Sequence, residues 1–210
     1  MRKFLPTLLR VDMTWSVPLC AALLLVALND SRAGTMDSAW RSYTDAKYGF
    51  SISYPLGWKL DAKHVYDALG PGKGIPGVAF VIPASMANGT NLSSDSYIAV
   101  ELMPAAPVCD FGRFLDYTDK SFAMTDAGRR YSYAEVGEGA AGNYYEQRIY
   151  ALTDSRPCIG VRTFIHSTNI DNYDPGTVRQ FDRKALLAQF DRIRRTLVLR
   201  PRAPAPAAPR

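Results

Sequence analysis

Apolar and polar residues alternate with period two over several short stretches of this chain, the pattern of strands with one buried face. In Tyr48–Trp58 (YGFSISYPLGW), Phe50, Ile52 and Tyr54 alternate with Ser51 and Ser53, and Pro55 and Gly57 end the strand in a turn. Val78–Ile82 is a second short apolar strand, set off by Pro76-Gly77 and Pro83. In Ser96–Met103, Ile98, Val100 and Leu102 share one face, and Tyr97, Ala99 and Glu101 the other. Tyr131–Val136 and Asn143–Leu152 read as a hairpin around Gly137–Gly142. In Cys158–His166, Ile159, Val161, Thr163 and Ile165 oppose Arg162, Phe164 and His166.

The helical period appears in three places. Asp37–Lys47 is polar and reads as the start of a short helix. Asp110–Met124 reads as a helix with Phe111, Phe114, Leu115 and Phe122 as its apolar members. A long C-terminal helix is expected from Asp174 as N-cap and Pro175 at its first position, carrying Val178, Phe181, Ala185, Leu186, Phe190, Ile193 and Leu197 as one stripe. The charged run Arg192–Arg195 suits the solvated C-terminal turn of such a helix. Strands joined by short loops make a mostly antiparallel sheet, and helices must cover it. The expected class is therefore α+β.

The segment YGFSISYPLGW also resembles the opening of the PsbP-like proteins, extrinsic subunits of the oxygen-evolving complex and their bacterial relatives. The matching residues are Tyr48, Gly49, Phe50, Tyr54, Pro55 and Trp58. The resemblance implies an antiparallel sheet with a closing helix packed on it, a fold shared with a Ran-binding nuclear-import factor. It implies no function, because one fold hosts unrelated roles. No family metal or binding residue maps onto a position here. Thr90–Glu101 and Cys158–Arg183 resemble segments of uncharacterised exported bacterial proteins.

Charge changes the picture once it is counted by region. The net charge of +5 comes from 25 basic and 20 acidic residues. Residues 1–33 hold four of the basic and two of the acidic residues, and 200–210 hold three basic residues. Residues 34–199 thus keep 18 of each and are neutral. A basic face for nucleic acid is not implied. Arg2, Lys3 and Arg10, the apolar run Val17–Leu28, and Ser31-Arg32-Ala33 before Gly34 have the layout of a secretory signal peptide cut near Ala33. The run is short for a membrane span, so the mature chain has none if the leader is cleaved; an uncleaved anchor is the alternative. The expected organisation is a signal peptide over 1–33, one domain over 34–199 and a Pro/Ala-rich disordered tail over 200–210. The expected location is periplasmic or secreted.

Removing the leader removes Cys20 and leaves Cys109 and Cys158. In an exported chain their simplest state is a disulfide, closing a loop worth on the order of 4 kcal/mol; two buried free thiols are the alternative. Metal-ligand spacing and cofactor motifs are lacking, so neither a metal nor a cofactor is expected.

Candidate chemistry is sparse. The two histidines are His64, read as exposed in a polar loop, and His166 at a strand end. A hydrolase could be assembled from His166, Ser94 or Ser96, and Asp95 or Asp171. A second candidate is one sheet face gathering Tyr97 and Glu101, then Tyr144, Glu146, Arg148 and Tyr150, then Arg162 and His166. Three readings of that face stand: a solvated surface, an internal ion-pair network beneath a loop, or a surface for a small ligand or an envelope protein. The expectation is a non-catalytic periplasmic binding or assembly-accessory module, with a hydrolase using His166 as the alternative.

Overall fold

The computed structural model describes residues 39–200. The leader read over 1–33 and the tail from 201 onward lie outside the described residues. In chain order the elements are strands β1 (Trp40–Asp45), β2 (Phe50–Pro55), β3 (Lys59–Asp61), β4 (Val65–Tyr66) and β5 (Ile75–Val81), then helix α1 (Ala84–Ala87). Next come β6 (Tyr97–Met103), β7 (Lys120–Asp126), β8 (Arg129–Ala140), β9 (Asn143–Leu152) and β10 (Cys158–Thr168). Helix α2 (Arg183–Arg195) and strand β11 (Val198–Leu199) close the chain.

The main sheet has eight strands in the order β3-β5-β6-β10-β9-β8-β7, with β4 also paired to β5. A smaller sheet runs β1-β2-β11. Every strand pair is antiparallel. The fold is α+β, mostly antiparallel sheet with one substantial helix.

One face of the large sheet packs on α2 and on β2. Phe80, Ile98, Val100, Val161 and Tyr150 meet Leu186, Phe190 and Ile193 of the helix and Phe50, Ile52 and Tyr54 of β2 in one core. Trp58 packs edge-on against Phe190 at 5.7 Å, and the Tyr54 ring lies tilted on Phe80 at 4.6 Å. The opposite face is roofed by the segment around Tyr66 and by the one around Cys109–Leu115, which enclose a second core with Ala134, Ile149, Ala151 and Cys158. Cys109 and Cys158 form the disulfide, tying that roof to the first residue of β10.

Three helical expectations are corrected. Trp40–Asp45 is a strand, not a helix start, because its whole length pairs with β2. The stretch Asp110–Met124 holds only a short 3-10 turn, Phe111–Arg113, followed by strand β7. Phe114 and Leu115 are instead plugged into the second core, and Lys120–Asp126 pairs residue by residue with β8. The C-terminal helix starts at Arg183, with Asp182 as N-cap accepting from the Ala185 N–H at 2.9 Å, and is 13 residues long. Asp174-Pro175-Gly176-Thr177 is a turn, closed by Thr177 N–H to the Asp174 carbonyl at 3.1 Å with Gly176 at φ +82°. Proline second and a positive-φ glycine third make it type II. Arg179 then bridges Thr90, and both Arg179 backbone groups are taken by Gly89 and Asn91. The Asn91 side chain pins this crossing, donating to the Thr168 carbonyl at 2.8 Å and accepting from the Phe181 N–H at 3.0 Å.

Candidate functional site

Strand register decides which polar residues meet. On β10, Arg162 stands opposite Ala99 of β6 and Ile149 of β9. Directly opposed residues share a face, so the Arg162 face carries Tyr97 and Glu101 from β6, Phe164 and His166 from β10, and Tyr145 and Gln147 from β9. Tyr144, Glu146 and Arg148 stand opposite Ser167, Ile165 and Thr163 and belong to the other face, the one that bears α2. The expected single face is therefore two. Glu146 binds Arg183 at the start of α2, its oxygens 2.7 and 2.9 Å from Nε. Arg148 lies 3.6 Å from Glu135, and Tyr144 is exposed.

The Arg162 face has an inner and an outer part. Inside, Arg162 and Glu101 are wholly buried. Arg162 Nε donates to Glu101 Oε1 at 2.6 Å, and Nη2 donates to Oε2 at 3.0 Å and to the Phe114 carbonyl at 2.8 Å. Nη1 donates to the Gln147 side-chain carbonyl. The guanidinium lies over the Tyr66 ring, 3.4 Å from its centroid. With both charges paired and nearly every donor placed, this is the internal ion-pair network beneath a loop. A group with no exposure cannot touch a partner, so Arg162 and Glu101 support the surface from below.

Outside lies a row of rings. Tyr97 stacks on Phe164 at 5.1 Å, Phe164 leans on Tyr145 at 6.1 Å, and Tyr145 stacks on the His166 ring at 4.6 Å. All four are partly exposed. His64, expected in open solvent, is instead folded against Tyr97, with ring centroids 4.9 Å apart and its Nε2 3.8 Å from Glu101. Beside Tyr97 opens a cleft of ≈ 650 Å³ rimmed by Lys59, Asp61, His64, Ser94 and Asp95. Burial, with the nearby Glu101 charge, holds the Tyr97 phenol above its ordinary pKa, so its hydroxyl stays protonated.

The hydrolase set is partly assembled. His166 Nδ1 sits 2.9 Å from both oxygens of Asp95. The loop carrying Asp95 is held there because Ser96 Oγ accepts from the His166 backbone N–H at 3.0 Å and donates to the Ser93 carbonyl at 2.9 Å. Ser96 is thereby committed to backbone and does not bond the imidazole. Asp171 sits in the 3-10 turn Ile170–Asn172, where its N–H caps onto Asn169. Among the described residues no group of three or more His, Cys, Asp or Glu is placed to hold a metal. No described helix is long and apolar enough to cross a membrane.

Phe164, Tyr145, His64, Gln147 and Tyr66 complete the site and were not singled out from sequence. For Phe164 the signal was present, since it lies between Arg162 and His166 on their side of one strand. Tyr145 and Gln147 needed the register, and His64 and Tyr66 needed the path of a loop.

No protein-family model matches the chain, and no curated protein matches it. Among solved structures, it is similar to cyanobacterial PsbP (CyanoP) from Synechocystis sp. PCC 6803, at 16% identity over 80% of this chain and 97% of that one, with a TM-score of 0.43. It is also similar to a protein from Bacteroides thetaiotaomicron VPI-5482, at 14% identity over 77% of this chain and 48% of that one, with a TM-score of 0.44. Both are likenesses of fold, and neither speaks to ligand or activity.

Proposed function

We propose that the domain is a non-catalytic binding or assembly-accessory module of the cell envelope, and that its partner or small ligand docks on the Tyr97–Phe164–Tyr145–His166 row. The observation that carries this reading is the row itself: four partly exposed rings on adjacent strands, continuous with a polar-rimmed cleft of ≈ 650 Å³. Rings already packed against one another lose little freedom on binding and offer large contact area. The buried Arg162–Glu101–Gln147 layer supports the row from beneath. Export is supported by the Cys109–Cys158 disulfide, since oxidising compartments retain such bonds, and by the leader-like residues 1–33.

The test places a photoreactive aromatic residue at Tyr145 or Phe164 in the living cell. A discrete adduct is expected from these two positions and none from Val108, which is exposed on another segment. Equal labelling from Val108, or no adduct from the row, overturns the proposal.

A second reading, a hydrolase using His166, is favoured by one contact. The Asp95–His166 pair at 2.9 Å has the form of the carboxylate and base of a triad, and Ser94 lines the same cleft as Asp95. Ester or amide turnover by the purified domain, abolished by His166→Ala and by Ser94→Ala, decides for the enzyme; turnover that survives either change decides against it.

A further inference from the structure

We propose that β7 is a self-docking edge, through which two copies of this domain pair antiparallel into one continuous sheet. Strand β7 ends the eight-stranded sheet and, among the described residues, pairs on one side only, with β8. The other end of the sheet is the three-residue β3. By contrast β7 presents seven residues, five of them exposed and two half-buried, in unbroken register with β8 and so without a bulge. Thr118 Oγ1 takes both backbone groups of Lys120, donating to its carbonyl at 2.7 Å and accepting from its N–H at 3.2 Å; beyond that first residue the edge is long enough to be a template for another strand. Edges are commonly guarded by proline, a bulge or a central charge. Ser121–Thr125 (SFAMT) contains neither proline nor charge.

The sequence of the edge selects its occupant. A two-fold axis through Ala123, normal to the sheet, sets the strand against its own copy. Lys120 then faces Asp126 of the second copy, Ser121 faces Thr125, Phe122 faces Met124, and Ala123 faces Ala123. Opposite charges meet at both ends, and the smallest side chain sits on the axis. Phe122 and Met124 lie on the sheet face that also carries Tyr133. Phe122 is 44% exposed even with its ring 4.7 Å from Tyr133, and Met124 of the second copy would cover it. Asp126 holds Arg194 and Arg195 through Oδ2 alone, which leaves Oδ1 to accept from the incoming Lys120. Sliding the copy by two residues either way removes the complementarity: Lys120 then meets Met124, or Phe122 meets Asp126.

The experiment is sedimentation velocity on the purified protein across a hundredfold concentration range. The unaltered protein should reach twice the monomer mass. Ala123→Lys and Ala123→Glu each place like charges opposite one another across the axis, so each alone should remain monomeric, and because Ala123 is exposed each should keep the thermal transition of the unaltered protein measured at the dilute, monomeric end of the range. An equimolar mixture of the two should dimerise again. A monomeric unaltered protein overturns the proposal, and so does a dimer that persists in both single variants. A mixture that stays monomeric overturns the two-fold register through Ala123.

Discussion

Replacing Arg162 with methionine should destabilise the domain more than replacing Arg162 and Glu101 together. Methionine fills much of the arginine volume but removes both hydrogen bonds to Glu101, the one to Phe114 and the one to Gln147. Glu101 has no solvent exposure, and apart from Arg162 the nearest basic side-chain nitrogen is His64 Nε2 at 3.8 Å. Leaving one member of a buried ion pair without its partner costs about 3–5 kcal/mol. The Phe114 and Gln147 carbonyls, deprived of their donor, add roughly 1–3 kcal/mol each. Against a total stability of about 5–15 kcal/mol for a domain, Arg162→Met alone approaches global unfolding. In Arg162→Met with Glu101→Leu the buried charge is gone and only the two neutral acceptors stay unpaired. The double variant should therefore recover about 2 kcal/mol or more relative to Arg162→Met. Urea unfolding followed by Trp fluorescence reads the difference, since Trp58 is buried against Phe190. A double variant as unstable as the sum of the two single variants would refute the account of Arg162 and Glu101 as one coupled unit.

Two further outcomes follow from the geometry. Gly160→Ala should cost about 1–3 kcal/mol by overpacking, because a Cβ there would stand 2.6 Å from the Phe114 ring; adding Phe114→Leu should relieve part of the loss, and no relief in the urea midpoint would show the ring is not the obstacle. Hydrogen bonding from Arg194, then from Arg195, holds the Asp126 carboxyl below its ordinary value of 3.8. A depressed folded pKa gives stability that is fully present above that value and is lost as pH falls through the lower, folded one. Asp126→Asn should thus lower the urea midpoint at pH 6, and the gap to the unaltered protein should close as the pH drops below 3.8; a gap of equal size at pH 2.5 contradicts the assignment.

Much of the sheet was legible because burial enforces period two. The strands expected over Val78–Ile82, Ser96–Met103 and Cys158–His166 appear as Ile75–Val81, Tyr97–Met103 and Cys158–Thr168, since each has one face sealed in a core. The missed elements share a different cause. Lys120–Asp126 is an edge with little burial, so its alternation carries no hydrophobic contrast, and the phenylalanines before it mimicked a helical stripe while filling a second core. At Asp174-Pro175 the same two residues open either a helix or a turn, and the following Gly176 at positive φ makes it the turn.

The candidate site failed at one step, the register of β9. The deciding register is that of β9 against β10, which sets Ile149 opposite Arg162 and Arg148 opposite Thr163 across the connection 153–157. The alternating pattern of Asn143–Leu152 does not fix that pairing, and a one-residue change sends every side chain of the strand to the opposite face. Pairing Glu146 and Arg148 with Arg162 satisfied charge complementarity on paper. The structure satisfies it elsewhere, with Glu146 on Arg183 and Arg148 near Glu135, where those charges keep contact with solvent. The face left around Arg162 then receives Tyr145, Gln147 and Ile149. An aromatic, an amide and an aliphatic side chain can be buried or half-buried beside the Arg162–Glu101 pair at far lower desolvation cost than two more charges. The exchange that hid the site from sequence is thus the one that makes an outward aromatic row over a closed ion pair physically tenable.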